Sequence, residues 1–91
     1  MAHIAMKQAG EGIIERPNGV KLCAEFYFQR PKSLKKAIVV KSTKPDTDKL
    51  LRSLSDSLIG IVYEDDSQVC EAHVMKLFGS PERVEVRISK L

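Results

Sequence analysis

Apolar and polar residues alternate or recur along the chain in a way that predicts three strands and one helix. Apolar residues occupy every second position of residues 20–28, which is typical of a strand with one buried face. The inward positions of this strand are Val20, Leu22, Ala24, Phe26 and Phe28. Residues 83–89 alternate in the same way, with Val84, Val86 and Ile88 facing inward.

The third predicted strand, residues 67–78, carries apolar residues on both faces. Because a strand covered on both sides reads as nearly continuous apolar sequence, we expect it to be central in the sheet. Residues 79–82, which include Gly79 and Pro81, predict a hairpin turn into residues 83–89. Residues 37–40 form a short apolar run that fits either a brief strand or an anchored loop.

Spacings of three and four residues predict a helix over residues 48–59. Its apolar stripe consists of Leu51, Leu54, Leu58 and Ile61, with Leu50 beside them. Asp48, Arg52 and Asp56 line up on another face. An Asp or Thr can cap the start of the helix, and Gly60 suits the position just after its end.

The order of these elements predicts an α+β fold. We expect a mainly antiparallel sheet of three to four strands, with one principal helix packed on one face. Residues 1–91 are predicted to form a single domain. Within it, residues 1–12 are interpreted as either a helix remnant or a segment added to the natural domain.

Composition narrows the class of protein. The chain is 43% hydrophobic and 30% charged, an ordinary globular balance. It has no apolar run of membrane-spanning length and no signal peptide at its N-terminus, so no membrane association is expected. Two cysteines are too few for a disulfide scaffold, and two cysteines with two histidines disfavour a zinc site. We therefore expect a soluble, cytoplasmic protein.

Positive charge is concentrated in one stretch. Residues 30–52 contain eight basic and two acidic residues, a net charge of +6, whereas the whole chain carries +3. A basic segment on an otherwise acidic protein indicates a surface that binds a polyanion. A solvated lysine-rich loop explains the charge equally well.

Acidic residues occur within and after this basic stretch. Asp46 and Asp48 are two residues apart at the predicted helix start, and Asp65 and Asp66 follow the helix. Mg²⁺ prefers carboxylate oxygens and uses one or two of them with phosphate oxygens and water. Read separately, the same residues fit a helix cap and an ordinary turn.

The motifs at these residues resemble the RusA family of Holliday-junction resolvases. The similar residues are Lys44-Pro-Asp-Thr-Asp-Lys-Leu50, Asp56, Gly60, Asp65-Asp-Ser-Gln-Val69 and Lys76. The chain departs from the family pattern at Lys49, where the family has Asn, and at Arg52, where it has Lys. The family also begins with a strand and a long helix, for which this chain has no room.

This resemblance implies a homodimeric, Mg²⁺-dependent endodeoxyribonuclease, of the kind found in phages and prophages, that cuts four-way DNA junctions in recombination and repair. It implies Asp46, Asp48 and Asp66 as metal ligands, with Asp65 left open as an alternative to Asp66. It also implies Arg52 as a further catalytic residue and Mn²⁺ as a metal that can replace Mg²⁺. No small-molecule cofactor is expected. The predicted DNA-binding residues are Lys35, Lys36, Lys41, Lys44, Lys49, Arg52 and Lys76. The alternatives are a non-catalytic nucleic-acid-binding module of the same fold and a purely structural α+β dimer.

Overall fold

A computed structural model describes the backbone of His3–Gln8 and residues 12–91 of the chain. In those residues the strands are β1 (His3–Gln8), β2 (Val20–Phe28), β3 (Val69–Phe78) and β4 (Arg83–Lys90). The α-helix is α1 (Thr47–Leu58), and a short 3₁₀ helix, Asp66–Gln68, precedes β3. The predicted α+β class with one principal helix is confirmed.

The four strands form one mixed sheet in the order β1-β4-β2-β3. β4 runs antiparallel to β2 and parallel to β1, and β3 runs parallel to β2. Two of these three pairings are parallel, whereas a mainly antiparallel sheet was expected.

The residues between β3 and β4 do not make a hairpin, because β2 lies between the two strands. The connection instead crosses the end of β2, where the Gly79 amide donates to the Phe28 carbonyl at 2.9 Å. A Cβ at Gly79 would lie 2.7 Å from Cδ1 of Tyr27. Glycine is needed here because the crossing is too close for a side chain.

β3 is an edge strand, so its predicted central position was wrong. None of its ten residues is buried and five are exposed, among them Cys70, Ala72 and Met75. Val69 and Val74 pack against the core, whereas Leu77 forms an isolated antiparallel bridge with Val40. That bridge makes residues 37–40 an anchored loop.

The N-terminal helix remnant was also wrong where the structure describes this region, because His3–Gln8 is a strand. Its backbone pairs with the edge of β4 that faces away from β2. Pairing satisfies the hydrogen-bonding groups that an open edge would leave to solvent. The rest of residues 1–11 lies outside the described residues.

The core lies between one face of the sheet and α1. The even-numbered residues of β2 from Val20 to Phe26 and those of β4 from Val84 to Ile88 are buried, as the alternation predicted. Leu54 and Leu58 of α1 complete this core, whereas Ile61, placed on the same stripe by sequence, is 64% exposed. Ile61 lies beyond the helix because Gly60, with φ of +80°, reverses the chain in a turn closed by a 3.0 Å bond from the Ile61 amide to the Leu58 carbonyl.

In the part of the chain that the structure describes, no helix is long and apolar enough to cross a membrane.

Candidate metal and nucleic-acid site

Residues 43–48, which we call the Asp46 segment, lead into the N-terminus of α1. Asp46 is the N-cap residue, and its carbonyl accepts the Leu50 amide at 3.2 Å. Its side chain makes no capping hydrogen bond, so the interpretation of Asp46 as a side-chain cap is wrong. Asp48 lies in the first turn, where its charge complements the helix dipole. Both carboxylates are exposed and have no protein partner among the described residues.

Lys76 fixes the backbone of the Asp46 segment to β3. Its Nζ donates to the Thr43 carbonyl at 2.6 Å and to the Pro45 carbonyl at 2.8 Å. The Lys76 carbonyl in turn accepts the Lys41 amide at 2.9 Å. This half-buried lysine, predicted to contact DNA, is therefore engaged within the protein.

Residues 64–68, which we call the Asp66 segment, contain two adjacent acids in different environments. Asp65 caps the 3₁₀ helix, because its Oδ2 accepts the Ser67 amide at 3.1 Å and also the Ser67 hydroxyl. The Ser67 hydroxyl bond, followed by the Ser67 amide bond, lowers the pKa of Asp65. The exposed Asp66 carboxylate has no hydrogen-bond partner in the described part of the chain. Of the two acids left open by sequence, Asp66 has both carboxylate oxygens free of partners among the described residues, whereas Oδ2 of Asp65 is used in the cap.

Gln68 binds the Asp66 segment to the rest of the fold through hydrogen bonds, a role that was not predicted from the sequence. Its Oε1 accepts the amides of Glu64 at 2.8 Å and Asp65 at 2.9 Å. Its Nε2 donates to the carbonyls of Ile14 and Asn18, both at 3.0 Å. The side chain thus uses both donors and both acceptor positions while only 5% of the residue is exposed. The signal in the sequence was the capping-box spacing from Asp65 to Gln68.

The fold keeps the two segments apart within one chain. Tyr63, which is fully buried, donates its hydroxyl to the Ser55 carbonyl at 3.1 Å and lies 2.7 Å from the Ser55 hydroxyl. Burial raises the pKa of Tyr63, the Ser55 hydroxyl lowers it, and the charge of Asp66 contributes a smaller increase. The two segments are attached near different ends of β3: Asp66 lies three residues before Val69, the first residue of the strand, whereas the Asp46 segment is bonded to Lys76. The seven residues from Val69 to Lys76 span about 23 Å, at about 3.3 Å per residue.

Asp46, Asp48 and Asp66 are accordingly not assembled in one chain. Among the described residues, no group of three or more His, Cys, Asp or Glu side chains could hold a metal ion. Asp46 and Asp48 alone match the one or two carboxylates that Mg²⁺ commonly takes from a protein.

The cations of the basic stretch divide into two sets. Two of them face the protein: the Arg30 guanidinium lies 5.3 Å from the Phe78 ring centroid and donates to the Lys35 carbonyl at 2.6 Å. Lys41 Nζ donates to the Thr43 hydroxyl at 2.8 Å and lies 5.3 Å from the Phe28 ring centroid. The other set is exposed and has no ion pair in residues 12–91: Lys32, Lys35, Lys36, Lys44, Lys49 and Arg52. In particular, the helix-face ion pairs of Arg52 with Asp48 or Asp56 are not formed.

Comparison with known proteins identifies the family. The family described as Endodeoxyribonuclease RusA matches residues 1–89 of the 91. The chain therefore belongs to the RusA endodeoxyribonuclease family, a family of Holliday-junction-resolving endonucleases that bind branched DNA. The uncharacterized protein YqaN of Bacillus subtilis strain 168 is 32% identical over 101 aligned residues, which cover all of this chain and 70% of that protein. No solved structure is significantly similar to the chain.

Proposed function

We propose that this protein is an Mg²⁺-dependent, structure-specific endonuclease that resolves four-way DNA junctions. The observation that carries this proposal is the pair of exposed, unpartnered carboxylates of Asp46 and Asp48 among exposed cations. Carboxylates next to cations would normally form ion pairs. Without such pairs, the carboxylates are available to a metal and the cations to a phosphate at the same time.

The residues present fit a hard divalent cation. Asp46 and Asp48 would bind Mg²⁺, or Mn²⁺ in its place, with phosphate oxygens and water completing its coordination. A cation bound there would supply positive charge to the scissile phosphate and favour ionisation of the attacking water.

The chain's own cations have two proposed tasks. Arg52 lies one helical turn after Asp48, where its guanidinium would neutralise phosphate charge together with Lys49. Lys35, Lys36 and Lys44 would contact the DNA backbone without reading sequence. Lys41 and Lys76 are engaged within the protein, so their proposed contribution is to the shape of the loop.

A homodimer would complete the site. Among the described residues, segment 39–41 covers the outer edge of β3 only at Lys76 and Phe78. By alternation, the backbone groups of Ala72 and Val74 face the same open edge. Antiparallel pairing of two such edges about Ala72 would bring Asp66 of the partner subunit toward the Lys76 end of β3. Light scattering tests this arrangement: Ala72→Pro removes an outward N–H and should convert a dimer to a monomer, whereas Ala72→Ser should not.

The proposed function is tested with a synthetic four-way junction, incubated with and without Mg²⁺. We expect paired cuts only with the metal. Asp46→Asn or Asp48→Asn should abolish cleavage while junction binding persists or tightens, because repulsion of the phosphate is reduced. Cleavage at the unmutated rate by either variant would refute its assignment as a ligand.

The separation of Asp66 from the other two acids favours one competing function, a non-catalytic DNA-binding module. Thermal unfolding discriminates the two, because an ion that binds only the folded state raises Tm. A rise in Tm with millimolar Mg²⁺ that is lost in Asp48→Asn supports the metal site. Tight junction binding with no metal-dependent shift supports the module.

A further inference from the structure

Among the described residues, Thr43 is the one member of the Asp46 segment whose side chain has a hydrogen-bond partner, the Lys41 ammonium. Asp46 makes no side-chain cap, and Lys44 and Asp48 are exposed without partners in the part of the chain that the structure describes. The segment is tied to the fold by its backbone, through carbonyl oxygens immediately before Asp46.

Lys76 provides this tie. In the register of the sheet it lies opposite Phe26, which is 7% exposed, so its side chain leaves β3 on the face that packs against α1. Its ammonium reaches the Thr43 and Pro45 carbonyls at 2.6 Å and 2.8 Å. Hydrogen bonds from a charged donor are stronger than neutral ones, and two of them on carbonyls two residues apart fix the direction in which the chain enters α1.

We propose that Lys76 is a positioning residue for the Asp46 and Asp48 carboxylates, rather than a phosphate contact. This inference rests on the proposed divalent-cation site. A metal needs its ligands in a fixed geometry before it binds, and the ammonium supplies that order from a neighbouring strand. With Lys76 removed, the carboxylates remain, but their approach to one ion is no longer set in advance.

The test compares Lys76→Met with the matched control Lys35→Met, which removes an exposed lysine of the basic stretch. Mn²⁺ affinity, measured from the metal-induced change in Tm without DNA, should weaken about tenfold in Lys76→Met and stay unchanged in Lys35→Met. The salt dependence of junction binding should become shallower in Lys35→Met only. Lys76→Arg, which keeps the charge and the donors, should recover much of the Mn²⁺ affinity.

A readout without metal separates this inference from the proposed function. The Leu50 amide, which donates to the Asp46 carbonyl at 3.2 Å, should exchange its hydrogen about tenfold faster in Lys76→Met than in the control. If the unmutated protein shows no Mn²⁺-dependent shift but this exchange accelerates, the metal site is refuted and the positioning by Lys76 stands. If Lys76→Met binds Mn²⁺ normally and only its salt dependence changes, Lys76 is a DNA contact and the inference is overturned. Should Lys76→Met fail to fold, Lys76→Gln, whose side chain is polar but uncharged and one atom shorter, is measured against the same outcomes.

Discussion

The Asp46 segment and the Asp66 segment both present unpartnered carboxylates, yet they are attached to the fold by different chemistry. The first is tied by a half-buried ammonium that contacts two backbone carbonyls. The second is tied by a buried, neutral amide with four backbone partners, and one of its two acids is used as a cap. The Asp66 segment is therefore anchored in the core through the buried Gln68, whereas the Asp46 segment is held at the surface by the half-buried Lys76.

The largest loss of stability is expected from a substitution at Gln68. Gln68→Leu leaves two amides and two carbonyls without partners at a site that water hardly reaches. It should therefore lower the free energy of unfolding by about 3 kcal/mol or more. Urea denaturation measures this loss, with Gln29→Leu as the matched control because Gln29 is exposed. A loss as small as the control's would show that the Asp66 segment is not part of the core.

The second effect concerns Tyr63, which joins α1 to the start of the Asp66 segment. Tyr63→Phe removes the hydroxyl that bonds to Ser55 and should cost about 1–2 kcal/mol at neutral pH. Thermal unfolding of Tyr63→Phe and Ser55→Ala measures how much this hydrogen bond contributes to the free energy of unfolding. Losses near zero in both would mean that the hydrogen bond is replaced by another contact.

The same residue predicts a pH dependence. Burial raises the pKa of Tyr63 in the folded protein, so its contribution to stability is complete below the unfolded value near 10. That contribution is lost as the pH rises through the folded value. The decline in stability at alkaline pH should therefore be smaller in Tyr63→Phe, and an identical decline in both proteins would contradict the assignment.

A smaller effect separates the two neighbouring acids. Asp65→Ala removes a cap and should lower Tm by about 4 °C, whereas Asp66→Ala should leave it nearly unchanged. Since hydrogen bonds lower the pKa of Asp65, its stabilisation is present above the unfolded value near 3.8 and is lost as the pH falls through the folded value. The difference between the two variants should thus disappear in strong acid, and equal Tm values at neutral pH would refute the cap.

The smallest effect concerns the cations of the basic stretch, residues 30–52. Replacing Lys35 and Lys36 together with Met should reduce the slope of log affinity against log salt by about 1.8, since each phosphate contact contributes about 0.9 on duplex DNA. Lys41→Met should change this slope little, because its ammonium faces Thr43 and two aromatic rings. Equal slopes in the two variants would remove the distinction between exposed and engaged cations.

Local structure was largely predictable from the sequence. The alternation over residues 20–28 matched β2, and the helical spacing matched α1 to within one residue at each end. Both patterns depend on which side of a segment is buried. The spacing of apolar residues within the segment itself indicates that side.

Strand order and side-chain attachments were not predictable in the same way. The placement of β2 between β3 and β4 depends on pairings between segments far apart in the chain, and alternation does not report on them. The attachments made by Lys76 and Gln68 were not predicted, because their partners are backbone groups, which any residue carries. Exposed carboxylates were easier to predict as candidate metal ligands, because carboxylate oxygens are the ligands that Mg²⁺ prefers.

The claim that two free carboxylates and Asp66 support metal-dependent cleavage is tested most directly by one pair of variants. Single-turnover cleavage of a four-way junction in Mg²⁺ is measured for Asp66→Asn and Asp65→Asn beside the unmutated protein. We predict that Asp66→Asn lowers the cleavage rate by about 10²-fold or more. Asp65→Asn should stay within a few-fold of the unmutated rate, because Asp65 serves as a cap. Full activity in Asp66→Asn, or no cleavage by the unmutated protein, would contradict the account.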